Sequence, residues 1–580
     1  MVYTTIPEVF LEIAANSLKK TALLHKKEGV YFPVSYKELL SKVKIFGAAL
    51  QKFGIKKGDK VAILSENRPE WVVSDLAVML IGGVSVPLHS TFNANAICQI
   101  LNHSEAKILI VSNSILLNKV LLFQRDFLYL EKIIFLDKLT EAEKQNSTIK
   151  IFSFRALLEH SKDDLHDDVL LEADDSCTII YTSGTTGHPK GVVLSHRNIL
   201  SNVEAIIQLI PLKKGDTFLS FLPLSHVLER TVGYYVPILH GATIAYAENV
   251  KRLSHNLKEI MPTVLISVPR VFEKMHDSIW DKINAGHPLK KKLFQWALRQ
   301  KRGTVRYFLA DLLVFRQIRG RLGGRLRLTV SGGASLSRHL GQFFYNIGMV
   351  IIEGYGLTET SPIISTNRPK EVKFGSVGKV IPGVKLKIND KKGILVKGPN
   401  VFLGYFKDEV ATRAMFDAEG WFMTGDLGFM DKQGYVSIIG REKEMFVLSG
   451  GKNVWPEPIE SMLNEDKFIL QSIVVGNKQK FVSALIVPDW QEIEIYLKKQ
   501  NMPLVSRDKL LKNPAILEIF TRRIEEKINP ILSDIEQVKK FKLLASQFSQ
   551  ENEELTPTLK LRRHIIERHY EKEIEDLYHE

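Results

Sequence analysis

Residues 177–191 read CTIIYTSGTTGHPKG. The opening half is a short apolar run of β type, and it passes without a linker into a loop dense in glycine and hydroxyl side chains. Gly184 and Gly187 permit a tight turn with exposed backbone N–H groups, Thr182, Ser183, Thr185 and Thr186 add hydroxyl donors, and Lys190 adds a charge. Such a loop suits a polyanion, a triphosphate above all. It is not a Walker A loop, which needs glycine before the lysine and a hydroxyl after it: Pro189 precedes Lys190 and Gly191 follows. A dinucleotide fingerprint and a G-x-S-x-G nucleophile elbow are also missing from the sequence.

Outward from this stretch, β-branched runs alternate with helical patterns. KVAILSEN (60–67), AKILIVSN (106–113) and EKIIFLD (131–137) read as buried strands, and RPEWVVSDLAVMLIGG (68–83) reads as a helix with a proline at its start. Helix is expected to follow the phosphate loop from about Asn198. The alternation predicts an α/β fold, with a large N-terminal domain of layered, largely parallel sheets and helices. Near residue 440 the texture changes. LQSIVVGNKQKFVSALIVP (470–488) reads as two strands around a turn, with helices dominating beyond it. The expected division is 1–440 and 441–580, the second part a small α+β domain, which the resemblance given below implies is mobile; 580 residues are too many for one core.

The two cysteines, Cys98 and Cys177, form no CxxC pair, so structural zinc and a disulfide framework are not expected. The N-terminal residues lack a basic region ahead of an apolar core, and no apolar run reaches the ~20 residues that span a bilayer. A cytoplasmic protein is expected. Its formal charge of +14 is uneven: residues 289–327 hold twelve Lys or Arg against one acid, Asp311, a net +11 interleaved with Phe294, Trp296, Tyr307 and Phe308. The segment reads as a solvated helical face or as a surface for an acidic partner: anionic lipid at the cytoplasmic membrane face, a phosphorylated cofactor or an acidic carrier protein. Nucleic acid is not expected, because no recognition motif accompanies the charge.

TSGTTG-x-PKG resembles the phosphate-loop signature of the adenylate-forming (AMP-binding) superfamily. Further matches follow in that superfamily's order: FLPLSHVLER (221–230), SGGA (331–334), GYGLTET (354–360), TGD (424–426), GREKE (440–444), SGGKN (449–453) and TPTLKLRR (556–563). PTVLISVPRVFEK (262–274), GRLGGRLRLTVSGGASLS (320–337) and GKNVWPEPIE (451–460) look most like long-chain fatty acyl-CoA synthetases. Ser335 and Trp455 depart from that branch's pattern, at positions where proline and a smaller residue are usual.

The resemblance implies a two-step ligase: a fatty acid carboxylate attacks the α-phosphorus of ATP with Mg2+ present, and the thiol of coenzyme A then displaces AMP from the acyl adenylate. By that resemblance Thr182–Gly187 and Lys190 hold the β- and γ-phosphates, while Thr358 and Glu359 serve the α-phosphate, with Glu359 the metal ligand. Tyr355, beside Gly356, stacks on adenine. Asp426 takes the ribose hydroxyls, with Arg441 adding a contact. Gly332, Gly333 and Ala334 let backbone approach the acyl carboxyl and adenine, and His226 stands where acyl and pantetheine channels meet. Lys443 marks the hinge, Gly450 and Gly451 line the pantetheine tunnel, and Lys560 is the mobile lysine that reaches the reacting carboxylate. Acyl carrier protein in place of coenzyme A, and a non-catalytic fatty-acid or nucleotide binder, are the rival readings.

Overall fold

A computed structural model describes residues 4–160, 165, 169–182, 189–503, 505–549, 551–556 and 561–579. Ser183–Gly187 of the phosphate loop and Lys560 lie outside the described residues. Among the described residues the chain forms two large sheets, of eight and nine strands, and three smaller ones.

In the eight-stranded sheet Lys60–Leu64 is central, with Val84–Leu88 and Ala106–Val111 parallel on either side and Lys132–Phe135 beyond. These runs are apolar throughout because helices such as Pro69–Leu80, begun by a proline whose missing N–H costs nothing at that position, cover the faces. In the nine-stranded sheet Thr243–Tyr246, Thr217–Ser220, Val264–Ser267, Leu328–Ser331 and Ile351–Gly356 run parallel in that spatial order. The largest apolar cluster joins both sheets, from Ile6 to Phe422. Separate clusters fill the C-terminal part, the first beginning at Phe446.

The structure refines the sequence reading at three points. First, between the phosphate loop and the expected helix lies a strand that the sequence reading did not include: Lys190–Ser195 runs antiparallel to Ser176–Thr182, with Thr182 opposite Lys190. A β-carbon on Gly191 would lie 2.8 Å from the Ile179 side chain, so the pairing requires glycine there. Ser195 ends the strand and caps the helix His196–Leu209, which begins two residues before the expected Asn198. Second, a strand interrupts the helices that dominate the C-terminal part: Val538–Leu543 pairs parallel with Val482–Pro488, itself antiparallel to Ile469–Val475. Its sequence, VKKFKL, hides among the charges of the basic tail: Lys539 and Lys542 are exposed, while Val538 and Leu543 are buried. Third, the aromatics of the basic segment do not all face solvent. Phe294 is fully buried, and Trp296 and Tyr307 pack against the same cluster, with Phe272, Phe315 and Phe343; Phe308 is exposed.

Cys98 and Cys177 are both buried free thiols. Among the described residues no helix is long and apolar enough to cross a membrane.

Deep in the large cluster, Arg230 is fully buried. It donates from Nε to the Tyr235 hydroxyl (2.9 Å) and from Nη1 to Thr178 Oγ1 (2.6 Å), and its Nη2 pairs with Asp75, whose other oxygen accepts the Tyr235 hydroxyl at 2.8 Å. Arg230→Met strands a buried carboxylate and is expected to cost about 3–5 kcal/mol, whereas Arg230→Met with Asp75→Leu removes both charges and costs less. Thermal and denaturant unfolding of the two variants checks this: a double variant no more stable than the single one contradicts the assignment.

Candidate active site

Two clusters draw on the quoted motifs. In the first, Lys190 Nζ lies 5.0 Å from the centre of the Tyr405 ring, and the Tyr405 hydroxyl donates to Glu359 Oε1 at 2.8 Å. Tyr405 arrives on the short strand Gly404–Tyr405, which pairs with the lysine-bearing strand. Thr358 and Glu359 sit in the turn Thr358–Thr360, fixed by Phe402 N–H donating to the Glu359 carbonyl at 2.9 Å. Burial, and then the Glu359 charge, push the Tyr405 phenol above its ordinary range, so it stays a donor. A cavity of about 490 Å³ beside Lys190 is lined by His103, Tyr181, Tyr405 and Asp408 among others, with His103 Nδ1 2.7 Å from the Tyr181 hydroxyl.

In the second, Asp426 stands opposite Arg441 in an antiparallel ladder. Asp426 Oδ1 accepts from Arg441 Nε at 3.0 Å, and Oδ2 accepts from the Tyr355 hydroxyl at 2.7 Å. Asp426 is buried and Arg441 half-exposed. An aspartate held from two sides keeps further lone pairs for hydroxyl donors. Gly356 is required by packing, since a β-carbon there would lie 1.7 Å from the Pro362 carbonyl oxygen.

Gly332, Gly333 and Ala334 follow the strand Leu328–Ser331. Gly332 is buried, with its N–H on the Ser267 carbonyl (3.2 Å), Gly333 has φ +83°, and Ala334 is exposed. Behind them Glu353 is buried and accepts the Leu336 N–H at 3.2 Å. Burial pushes its carboxyl up to about 8, against the pull of that N–H. Glu353 lies one residue before GYGLTET, and only the tertiary structure distinguishes it from a surface acid.

His226 is half-buried in a turn closed by its own N–H on the Pro223 carbonyl (2.9 Å). Its Nδ1 accepts the Leu228 N–H at 3.4 Å. Two side chains from the other sheet, which no motif singles out, reach this turn. Asn67 accepts the Leu224 N–H (3.0 Å) and donates to the Leu222 carbonyl (2.7 Å), and His89 Nδ1 lies 2.9 Å from Ser225 Oγ.

Toward the C-terminal part, Lys443 is exposed in the turn Glu442–Glu444. Open space surrounds the Cα hydrogens of Gly450 and Gly451, and Gly451 has φ +74°. Trp455 lies on Gly440, where a β-carbon would come within 2.9 Å of its ring. The segment carrying Lys560 is bracketed by buried anchors. Before it, Glu554 accepts the Ser549 N–H at 3.1 Å; after it, Arg563 donates to Glu460 Oε1 at 2.6 Å and to the Val474 carbonyl at 2.7 Å. The turn ahead of Lys560 touches the N-terminal part, where Asn93 Nδ2 donates to Glu553 Oε1 at 3.3 Å. Ser335 Oγ lies 3.3 Å from Ser461 Oγ, and Arg270 donates to the Leu470 carbonyl at 3.0 Å.

Two family models match the chain: "AMP-binding enzyme" over residues 10–406 and "AMP-binding enzyme C-terminal domain" over 443–580. The long-chain-fatty-acid--CoA ligase FadD15 of Mycobacterium bovis is 33% identical, over 95% of this chain and 93% of that protein. Fatty acyl-CoA synthetase A of Dictyostelium discoideum is 31% identical, over 96% and 87%. Among solved structures, the adenylation domain of a carboxylate reductase from Mycobacterium chelonae matches with a TM-score of 0.81 at 21% identity, covering all of this chain and 92% of that one. ATP-bound MatB of Rhodopseudomonas palustris matches with 0.71 at 22%, covering 97% and 99%. The structural likenesses establish the fold; together with the sequence matches, they make this chain a member of the AMP-binding enzyme family.

Proposed function

We propose that the protein is an ATP-dependent fatty acyl-CoA synthetase that activates a long-chain fatty acid as its acyl adenylate and passes the acyl group to coenzyme A. The observation that carries this reading is the convergence of Lys190, Tyr405 and Glu359 on one side and Asp426, Tyr355 and Arg441 on the other. It is the pairing needed to grip a nucleotide at its phosphates and at its ribose. The substrate class follows the names of the relatives, several of which are long-chain fatty acid–CoA ligases; the same names favour coenzyme A over acyl carrier protein.

In the first step a carboxylate oxygen attacks the α-phosphorus and pyrophosphate leaves. Lys190, with Thr182 across the ladder and the motif residues Ser183–Gly187, serves to hold the departing phosphates. Glu359 keeps one carboxylate oxygen beyond the Tyr405 bond. That oxygen would serve to hold a Mg2+ ion, for which a single carboxylate beside phosphate oxygens suffices. Such an ion supplies charge neutralisation at the phosphates. In the second step the thiol sulfur attacks the acyl carbon and AMP leaves with the electron pair of the broken carbon–oxygen bond. We assign Gly332–Ala334, His226, Gly450 and Gly451 to the acyl and pantetheine path, and residues 441–580 to a unit that turns about Lys443 between steps. The break between apolar clusters ahead of Phe446 supports that division.

A membrane contact fits a long-chain substrate. On the basic segment Leu289, Leu293, Val305, Phe308, Leu309, Leu312 and Leu313 are exposed, with Val305 at 79% and Phe308 at 67%. Leu289 and Leu293 share one helix face, as do Phe308 and Leu312. Apolar side chains amid twelve cations suit an anionic lipid surface, each cation adding about 1 kcal/mol there.

The whole reading is tested by ATP–pyrophosphate exchange across carboxylic acids of increasing length: exchange is expected to rise with long-chain acids, and none with any acid overturns it. Asp426→Ala is expected to weaken nucleotide binding by about 1–3 kcal/mol in calorimetry. Lys560→Ala is expected to lower exchange roughly 10²–10³-fold while sparing thioester formation from synthetic acyl-AMP, since a preorganised cation matters where charge gathers. Equal losses in both assays contradict the role of Lys560. Sedimentation with phosphatidylglycerol vesicles is expected to weaken with salt, with Lys290–Lys292→Ala and with Phe308→Ser; indifference to all three removes the membrane contact.

A further inference from the structure

We infer that His89 is a positioning residue for the thiol-transfer step, holding the turn that carries His226 from the neighbouring sheet. The inference rests on the synthetase reading above and deepens it.

His89 follows the strand Val84–Leu88 of the eight-stranded sheet, whereas His226 follows Thr217–Ser220 of the nine-stranded one. The two rings meet with centroids 6.5 Å apart, tilted by 39°. His89 is 8% exposed, and its Nδ1 contacts the hydroxyl of Ser225, the residue immediately before His226, at 2.9 Å. Its far flank is set edge-on against Phe92 at 5.3 Å. The loop behind it is tied down by Lys119 Nζ, which donates to the Ser90 and Phe92 carbonyls at 3.4 and 3.2 Å. Burial lowers the His89 imidazole to about 4, so the ring is neutral at physiological pH and offers one donor and one acceptor.

A buried histidine with one hydrogen bond is ordinarily a satisfied core residue. Two features separate this one from that reading. Its bond goes to the residue adjacent to His226, and its ring faces the ring of His226 rather than an apolar neighbour alone. Asn67 already fixes the front of the turn through Leu222 and Leu224; His89 fixes the back, through Ser225. Among the described residues His89 makes no hydrogen bond to the Asp426 or Glu359 clusters. Its loss therefore displaces the His226 turn and leaves the nucleotide contacts in place. The first half-reaction depends on those contacts; the second requires the acyl carbonyl to be presented to an incoming thiol beside His226.

The test compares the wild-type protein with His89→Phe, His89→Asn and Ser225→Ala. Each is assayed for acid-dependent ATP–pyrophosphate exchange and for thioester formation from synthetic acyl-AMP and coenzyme A. His89→Phe keeps a ring against Phe92 and removes the polar atom; thioester formation is expected to fall about tenfold more than exchange, mainly in kcat rather than in KM for coenzyme A. Asparagine carries a polar atom near the Nδ1 position, so His89→Asn is expected to restore thioester formation to within about threefold of wild type. Ser225→Ala, which removes the same bond from its other end, is expected to reproduce the selective loss, and it carries the test if His89→Phe does not fold. Equal losses in the two assays, no loss in either, or an asparagine variant no better than phenylalanine overturns the inference. Wild-type protein without acid-dependent exchange overturns the synthetase reading instead, so the two failures are distinguishable.

Discussion

The arrangement of the site depends on one buried guanidinium. Arg230 bonds Thr178 of the strand that delivers the phosphate loop, Asp75 of the helix Pro69–Leu80, and Tyr235 of its own π-helical segment, Glu229–Tyr235. The Trp71 and Tyr235 ring centres lie 5.4 and 5.6 Å from it. A planar fork with fixed donors tolerates few arrangements once water is excluded, because each unmet donor costs the full desolvation of that group. His226 precedes Arg230 by four residues, and Thr178 precedes Thr182 by four. The guanidinium thus indexes the histidine turn against the phosphate strand, and through Thr178 Oγ1, which donates to the Ser85 carbonyl at 2.7 Å, against the strand that leads to His89.

With that index set, the carboxyl ends of Lys60–Leu64 and Val84–Leu88 in one sheet meet the turn after Thr217–Ser220 in the other, through Asn67 and His89. The proposed chemistry draws on residues at strand ends or just beyond them: His89, Lys190, His226, Gly332 and Tyr355. The antiparallel additions refine it. The Gly404–Tyr405 strand brings a phenol between Lys190 and Glu359, and the Phe422–Val436 region brings Asp426 under Tyr355. Glu353, Tyr405 and His89 share a signature: each is a polar group whose neighbours come from distant elements.

The proposed role of Lys560 draws on what flanks its segment. Glu554 and Glu460 are buried and Arg563 partly so, while the contacts to the N-terminal part include the exposed pairs Asn93–Glu553 and Ser335–Ser461 and the part-buried Arg270–Leu470 bond. The proposed turn about Lys443 would exchange such polar contacts without unfolding either apolar core.

The sequence by itself determined the elements whose information is local. Buried strands declare themselves as apolar runs, the helix at 69 by its proline, and the motifs proposed to grip the nucleotide by their density of glycines and hydroxyls. It also determined the family, because eight short motifs in order constrain far more than any one of them. It did not reveal the strand Lys190–Ser195, since a glycine and a short apolar run acquire meaning only when Ser176–Thr182 lies alongside. Nor did it reveal Val538–Leu543, whose lysines mask a strand that exists only because Val482–Pro488 offers it an edge. Tyr405, Glu353, Asn67 and His89 were beyond its reach for the same reason. A side chain's partner, burial and proton affinity are properties of what long-range folding brings to it, and residues such as His89 and Ser225, 136 positions apart, become neighbours only when the two sheets pack.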